Sequence, residues 1–501
     1  MQRQWVILLI IILVYLPVSI DATVLHVAIP SLNSALSLSN NQMLWIIDIY
    51  SLVMAGLLLP MGALGDRIGF KRLMMLGASI FGIASLCAAF SNSAAQLIGA
   101  RVLLALGAAM IIPATLAGLR HTFEDEKQRN FALGIWGTVG GGGAAIGPLV
   151  GGFILEHFHW GMVFLINVPI ILVVLVMIYF VVPKQKSDPK QALNLMQALT
   201  LVTAILLIIY AIKTLLYGFN LPSLGCLIIG ALLLLAFIRH QLSTDRAMID
   251  FRLFQKPVIA ISMVMIIVAM LALVGFELLL AQELQFVYGY SPLQAGLFIL
   301  PFIIAISVGG PLASLLVNRY GLRSVSTAGL LFSAISFWGL AQLNFKTDHY
   351  QAWAWMIVLG INVEIVLLSA TAAMMSSVPA EKATAAGAIE GMAYELGAGL
   401  GVAIFGLLLS FFYMQNIMYP AGLTPTEITA LGHSLGETLQ AVPHLDPQLA
   451  AQVTQSAFTA FSHSHSKVMY SAAGLFLLLA IFIWRRMPVQ ASANVECQDQ
   501  T

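Results

Sequence analysis

The chain is 501 residues long, 60% hydrophobic and only 9% charged, with 23 basic and 22 acidic residues. Soluble domains run at roughly half apolar and a quarter charged, so this composition excludes a soluble enzyme or a disordered chain and points to a bilayer. A net charge of +1 gives no field for nucleic acid, and Cys87, Cys226 and Cys497 stand too far apart for a disulfide framework or a CxxC metal site. No metal and no cofactor is expected.

A spanning helix needs about 20 mostly apolar residues. Fourteen such stretches follow in chain order, at 5–30, 43–63, 73–90, 95–118, 130–155, 160–182, 193–214, 221–239, 257–281, 291–317, 323–343, 351–376, 383–413 and 467–485. The first shows no small-residue cleavage pattern and reads as retained rather than as a secretory signal. With the N-terminus inside, nineteen of the 23 Lys and Arg fall in cytoplasmic segments, against three outside and Arg101 within a span. The excess of positive charge on one side places both termini in the cytoplasm.

The strings GDRIGFKR at 65–72 and VNRYGLRS at 317–324 align Arg67, Gly69 and Lys71 with Arg319, Gly321 and Arg323, 252 positions later. That register implies two six-helix halves, 1–182 and 257–501, flanking an inserted pair of helices with its linkers at 183–256. Repeats of this kind place a transport site between two rocking bodies. The long external segment 414–466 is expected to form a helical hairpin between spans 13 and 14: Thr424, Pro425 and Glu427 make a capping box, and Asp446 with Pro447 starts a second helix. A lid over the outer opening and a passive packing element are both compatible with it.

Ionisable side chains at bilayer depth are costly and normally face a cavity or a partner. Asp21 lies nine residues before Pro30, roughly 14 Å from the outer end of span 1; Asp48 is about 8 Å into span 2 and Arg101 about 9 Å into span 4. Asp21 follows the kink-forming Pro17, Asp48 has outer water as an alternative solvent, and Arg101 is a candidate counter-ion for Asp21. In the second half Glu364 and Glu395 sit near the midplane, Glu390 points about 140° away from Glu395, Glu277 lies near the outer end of span 9, and Glu283 reads as a solvated rim acid. The run GTVGGGGAAIGPLVGG at 137–152 lacks the lysine and serine of a phosphate loop. Its glycines suit close helix approach, with a kink at Gly147 and Pro148. Active transport must therefore draw on an ion gradient or a separate energising subunit.

At this point the residues resemble the major facilitator superfamily, in particular its fourteen-helix drug:proton antiporters, over nearly the whole chain. GALGDRIGFKR at 62–72 is similar to the loop motif between spans 2 and 3, RVLLALGAA at 101–109 to the span 4 motif, and AIGPLVGG at 145–152 to the antiporter motif of span 5. DATVLHVAIP at 21–30 and WGMVFLINVP at 160–169 resemble signatures of the fourteen-helix branch. Phe70 departs from the loop motif, where a small or basic residue is common. Within the branch the chain looks most like bacterial quaternary-ammonium and methyl-viologen efflux proteins of the cytoplasmic (inner) membrane.

The resemblance implies export of lipophilic mono- and dicationic biocides, dyes and viologens in exchange for protons, with the proton gradient as energy source and a monomer as the working unit. Proton coupling is expected at Asp21, Arg101 and Glu395, and cation binding at Asp48, Glu277, Glu364 and Glu390 with the aromatic residues Tyr50, Trp136 and Tyr394. The gating motifs correspond to Asp66, Arg67, Gly69, Lys71 and Arg72, and to Gly147, Pro148, Gly151 and Gly152. Phe276 is a further aromatic candidate for the cavity, although core packing accounts for most such residues. Competing readings are a proton-coupled metabolite symporter of the same fold and a non-transporting cation sensor; an enzyme is the least favoured reading, since no nucleophile, base and orienting residue group together in a loop.

Overall fold

The computed structural model describes residues 2–123, 125–183, 195–217, 220–244, 256–377, 383–432 and 434–487, and no strand occurs among them. Cys497 and most of the two linkers around the inserted pair lie outside the described residues. Seven helices build the first half: α1 (Gln2–Leu36), α2 (Asn40–Ile68), α3 (Phe70–Ala89), α4 (Ala94–Thr122), α5 (Glu126–His157), the single turn α6 (Met162–Leu165) and α7 (Asn167–Val181). The pair α8 (Leu195–Tyr217) and α9 (Leu221–Ser243) follows. The second half comprises α10 (Pro257–Gln282), continued by a π turn (Glu283–Val287), then α11 (Pro292–Tyr320), α12 (Leu322–Leu340), α13 (His349–Ser376), α14 (Ala383–Asn416), the short α15 (Pro425–Ala430) and α16 (Leu435–Ala441), and α17 (Pro447–Arg486).

Eleven of the described helices are long and apolar enough to cross a membrane. Helices α5, α8 and α12, which take in 130–155, 195–214 and 323–340 of the expected spans, fall outside that set. Large apolar side chains such as Leu172, Val176, Phe180, Leu232 and Leu235 are exposed on the outer surface. In water so extensive an apolar face would drive aggregation; in a bilayer it meets lipid.

Local chemistry repeats at the offset read from the sequence. Ser39 with Gln42 forms a capping box before α2, and Ser291 with Gln294, 252 positions on, does the same before α11. The same two helices end at Gly69 (φ 88°) and Gly321 (φ 76°), where the chain turns directly into α3 and α12. Side chains rarely adopt that backbone conformation, which accounts for glycine at both turns.

Two expectations are corrected. The first span does not stop at Pro30: α1 continues to Leu36, and the amide of Ser37 still donates to the Asn33 carbonyl at 3.0 Å. A proline removes one backbone bond and bends a helix without always ending it. Asp21 therefore lies fifteen residues from the helix end, roughly 22 Å at 1.5 Å per residue. The segment 414–466 is also no simple hairpin. Thr424 and Glu427 cap the short α15 as expected, but Pro447 opens a single 40-residue helix that runs through span 14 to Arg486. No glycine or proline interrupts 448–473, so nothing in the sequence breaks it. The end of the bundle that carries α15 and α16 is called the hairpin end below.

Glycines set the closest packing. On α5, a Cβ at Gly140, Gly143, Gly147 or Gly151 would meet Tyr15, Ser19, Thr23 or Val24 of α1 at 2.7 Å or less, so one face of α5 seats directly on α1. Gly152, on another face, abuts the backbone of Leu293 at the start of α11 in the other half. Between α2 and α14, Gly399 meets Leu52 and Gly406 meets Leu44. The α8–α9 pair attaches beside this seam, where Gly56 of α2 contacts Val202.

Candidate functional site

The α1–α5 contact holds α1 rigidly enough to aim Asp21 into the first half. There the carboxylate of Asp21 accepts a hydrogen bond from Nη1 of Arg101 on α4, and both side chains are almost wholly buried. Arg101 also donates through Nε to the Ile46 carbonyl of α2 at 3.1 Å, and its guanidinium lies 4.4 Å above the ring of Tyr50. The Tyr50 hydroxyl donates to the Val18 carbonyl at 3.5 Å. Three helices thus converge on one ion pair. Tyr50 supports that pair from beneath and is itself buried, as is Asp48, which has no accessible surface.

A second group forms where the halves face each other. Ser51 of α2 hydrogen-bonds to Glu395 of α14, and Tyr15 of α1 lies within electrostatic reach of the same carboxylate. Tyr15 stacks on Trp136 of α5 with centroids 4.5 Å apart and planes 4° from parallel, and the Trp136 indole donates to Thr115 Oγ1 at 3.1 Å. From the second half, Tyr394 interacts electrostatically with Glu364, Glu390, Glu395 and Tyr15. Tyr394 nevertheless keeps 45% of its surface exposed. Thr371 of α13 donates to Glu390 Oε1 at 2.5 Å, and Glu364 packs against Gly309 of α11.

The two groups differ in electrostatics. Asp21 has a guanidinium in contact, whereas no basic side chain pairs with Glu364, Glu390 or Glu395 among the described residues. Uncompensated carboxylates beside aromatic faces attract a cation by charge and by the ring quadrupole together. A carboxylate already holding an arginine is suited instead to exchanging a proton, because burial opposes its charge while the guanidinium favours it.

Other sequence-selected residues lie elsewhere. Glu277 is buried at the boundary between the halves, with Oε2 3.5 Å from Nδ1 of His26 on α1. Glu283 is no rim acid: its side chain is buried, held by His465 Nδ1 and by Ser462 Oγ at 2.6 Å, both on α17. Phe276 packs edge-on against Phe302 and Phe337 in the core. At the end opposite the hairpin, Lys71 donates to the carbonyls of Tyr179 (2.9 Å) and Val182 (2.5 Å), tying α3 to α7, while Arg67 and Arg72 are exposed. The side chain of Asp66 lies outside the described residues. Pro148 continues α5 without ending it, and Gly147, Gly151 and Gly152 make the close contacts given above.

Tyr15, Ser51 and Thr371 are partners that inspection of charged residues alone passes over. His26 and His465 carried a usable signal, since each is an ionisable side chain within an apolar helix.

The model of the Major Facilitator Superfamily matches residues 11–402. Methyl viologen resistance protein SmvA of Salmonella typhimurium (strain LT2) is 57% identical over 486 residues, covering 97% of this chain and 98% of that protein. Multidrug efflux pump LfrA of Mycolicibacterium smegmatis is 35% identical over 482 residues, 96% of each chain. Among solved structures, a bacterial homologue of the human lysosomal transporter Spinster in an inward-facing, unoccupied conformation superposes with a TM-score of 0.69 at 18% identity, covering 98% of this chain and 99% of that one. That likeness concerns the fold alone.

Proposed function

The chain belongs to the Major Facilitator Superfamily and is a multi-pass membrane transporter, and from that premise we propose that it is a proton-coupled antiporter exporting lipophilic mono- and dicationic compounds across the bacterial cytoplasmic membrane. Quaternary ammonium biocides, cationic dyes and viologens are its substrate class. The similarity to a methyl viologen resistance protein and to a multidrug efflux pump supports this choice. The observation that carries it is the division of the acids within the bundle into an arginine-paired aspartate and a set of carboxylates, grouped around Tyr394, that have no basic partner among the described residues. The chain crosses the membrane fourteen times, as six, two and six helices, with both termini in the cytoplasm and α15–α16 outside. It works as a monomer.

In the cycle, a cation enters from the cytoplasm and is drawn to Glu364, Glu390 and Glu395, where Tyr15, Trp136 and Tyr394 offer ring faces. Protons arriving from outside neutralise Asp21 and the glutamates. Neutral acids no longer hold a cation, and loss of the charge weakens the grip of Asp21 on Arg101, freeing α1 to shift against α4. Inward proton release restores the negative site. Gly69 and Gly321 supply matching turns at the end where the halves part, and the glycine face of α5 lets α1 move with it as a unit.

Exchange of one monovalent cation for one proton moves no net charge. A second proton adds a voltage drive of about 2.3 kcal/mol per 100 mV. The test is a proteoliposome assay with an imposed pH gradient and a panel of monovalent, divalent and neutral compounds. Gradient-driven movement confined to cations is expected; movement of neutral metabolites down a proton gradient in the same direction as the proton overturns the assignment in favour of symport.

A further inference from the structure

Two buried acids on α10 and its π turn each meet an imidazole, but in different ways. Glu283 is held within its own half, by His465 and Ser462 of α17, with the Tyr288 hydroxyl 3.4 Å from Oε1. Glu277 meets His26 of α1, from the opposite half, at 3.5 Å. Neither Glu277 Oε1 nor His26 Nδ1 has a hydrogen-bond partner, and both side chains are at least 95% buried. The 3.5 Å approach joins one residue from each half, and it exists only while the halves are together.

We propose that His26 and Glu277 form the contact that locks the two halves at the hairpin end, so that Glu277 serves closure instead of cation binding and His26 is a positioning residue for the transport cycle. The proposal rests on the alternating-access reading above. Its location supports it. Gly397, two residues past Glu395, abuts Ile267 of α10, and Glu277 lies ten residues further along α10, roughly 15 Å toward the hairpin end. Glu277 is therefore remote from the group around Tyr394. Around it, the surfaces that must separate on opening are packed shut: Gly152 on Leu293, Glu156 with Ser291, and Asn40 with Ser410 at 2.6 Å.

The chemistry makes this contact two-state. Out of water, a carboxylate and a protonated imidazole at this spacing attract strongly, and removing either leaves the other stranded. When the halves part at this end, water reaches both groups and replaces the lost attraction. The pair therefore favours the closed arrangement without making it permanent. The Glu283–His465 pair has the same chemistry but moves as one body with α10 and α17, so it contributes nothing to that equilibrium and provides an internal control.

The experiment is double electron–electron resonance in nanodiscs on full-length protein, with Cys87, Cys226 and Cys497 replaced and spin labels at Ala35→Cys and Lys346→Cys, one exposed site in each half at the hairpin end. His26→Asn and Glu277→Gln are each expected to raise the long-distance population at least about fivefold, whereas His465→Asn leaves it unchanged. Glu277→Gln is expected to bind methyl viologen with wild-type affinity. Because distances are read without transport, a failure of export alone does not touch the proposal. Unchanged distances in both lock variants overturn it, as does an equal shift in His465→Asn, which marks general loosening. Loss of methyl viologen binding in Glu277→Gln with unchanged distances returns that residue to the cation site.

Discussion

Asp21 and Arg101, eighty residues apart in sequence, form a direct ion pair whose side chains retain no more than 1% exposure. Removing one member of such a pair strands the other at a cost of about 3–5 kcal/mol, while replacing both with neutral groups costs far less. Arg101→Gln is therefore expected to lower the melting temperature in detergent more than the double variant Asp21→Asn/Arg101→Gln. Equal losses, or additive ones, would show that the two residues do not act as a pair.

The carboxylates around Tyr394 are expected to discriminate by charge. Glu395→Gln removes one attraction for each positive centre of a ligand, so it should weaken methyl viologen binding by roughly tenfold, equivalent to about 1.4 kcal/mol, and weaken a monovalent quaternary ammonium compound less. Titration monitored by intrinsic tryptophan fluorescence reads both, with Trp136 beside the group. An identical change for both ligands would place Glu395 outside the cation site.

Gly147 offers a packing test. A methyl group there would lie 2.2 Å from Thr23 Oγ1, two residues from Asp21, so Gly147→Ala must push α1 away from α5. Overpacking of this kind costs about 1–3 kcal/mol. Thermal unfolding should show that loss, together with slower transport. Gly99→Ala on α4, where nothing lies within 4 Å, should be neutral or stabilising by about 0.4–1 kcal/mol.

Outside the membrane, Glu427 is held below the ordinary carboxylate value of 4.5 by hydrogen bonds from the Thr424 hydroxyl and then its backbone amide. A depressed value in the folded state means that the carboxylate supports α15 above the unfolded pKa, and that this support disappears as pH falls through the folded one. Amide protection at Ile428 and Leu431 is expected to fall on acidification from roughly pH 5 to pH 3, and Glu427→Gln should abolish that dependence. A pH-independent profile in the native chain would contradict the capping assignment.

Much of this was legible in the sequence because a bilayer imposes strict rules. Apolar length marks helices, glycine marks positive φ, and a buried charge marks a pathway. Gly69 and Gly321 were matched by spacing alone and share a backbone conformation. The pairing of Asp21 with Arg101 followed from depth and sign of charge. What escaped were properties of three-dimensional neighbourhood. Pro30 looks like a helix end because the sequence cannot show that the following turn remains bonded. Glu283 looks like a rim acid because its cover, His465 and Ser462, arrives from a helix about 180 residues later. Tyr50 and Tyr394 are alike as letters, yet one is sealed under a guanidinium and the other keeps nearly half of its surface exposed.

Competition between protons and cations for the same submerged acids is most directly tested by adding methyl viologen to purified protein in weakly buffered solution and recording pH. Proton release that saturates with cation binding, and that is diminished in Asp21→Asn, is the predicted result. Binding that proceeds with no proton released, or with undiminished release from Asp21→Asn, would contradict it.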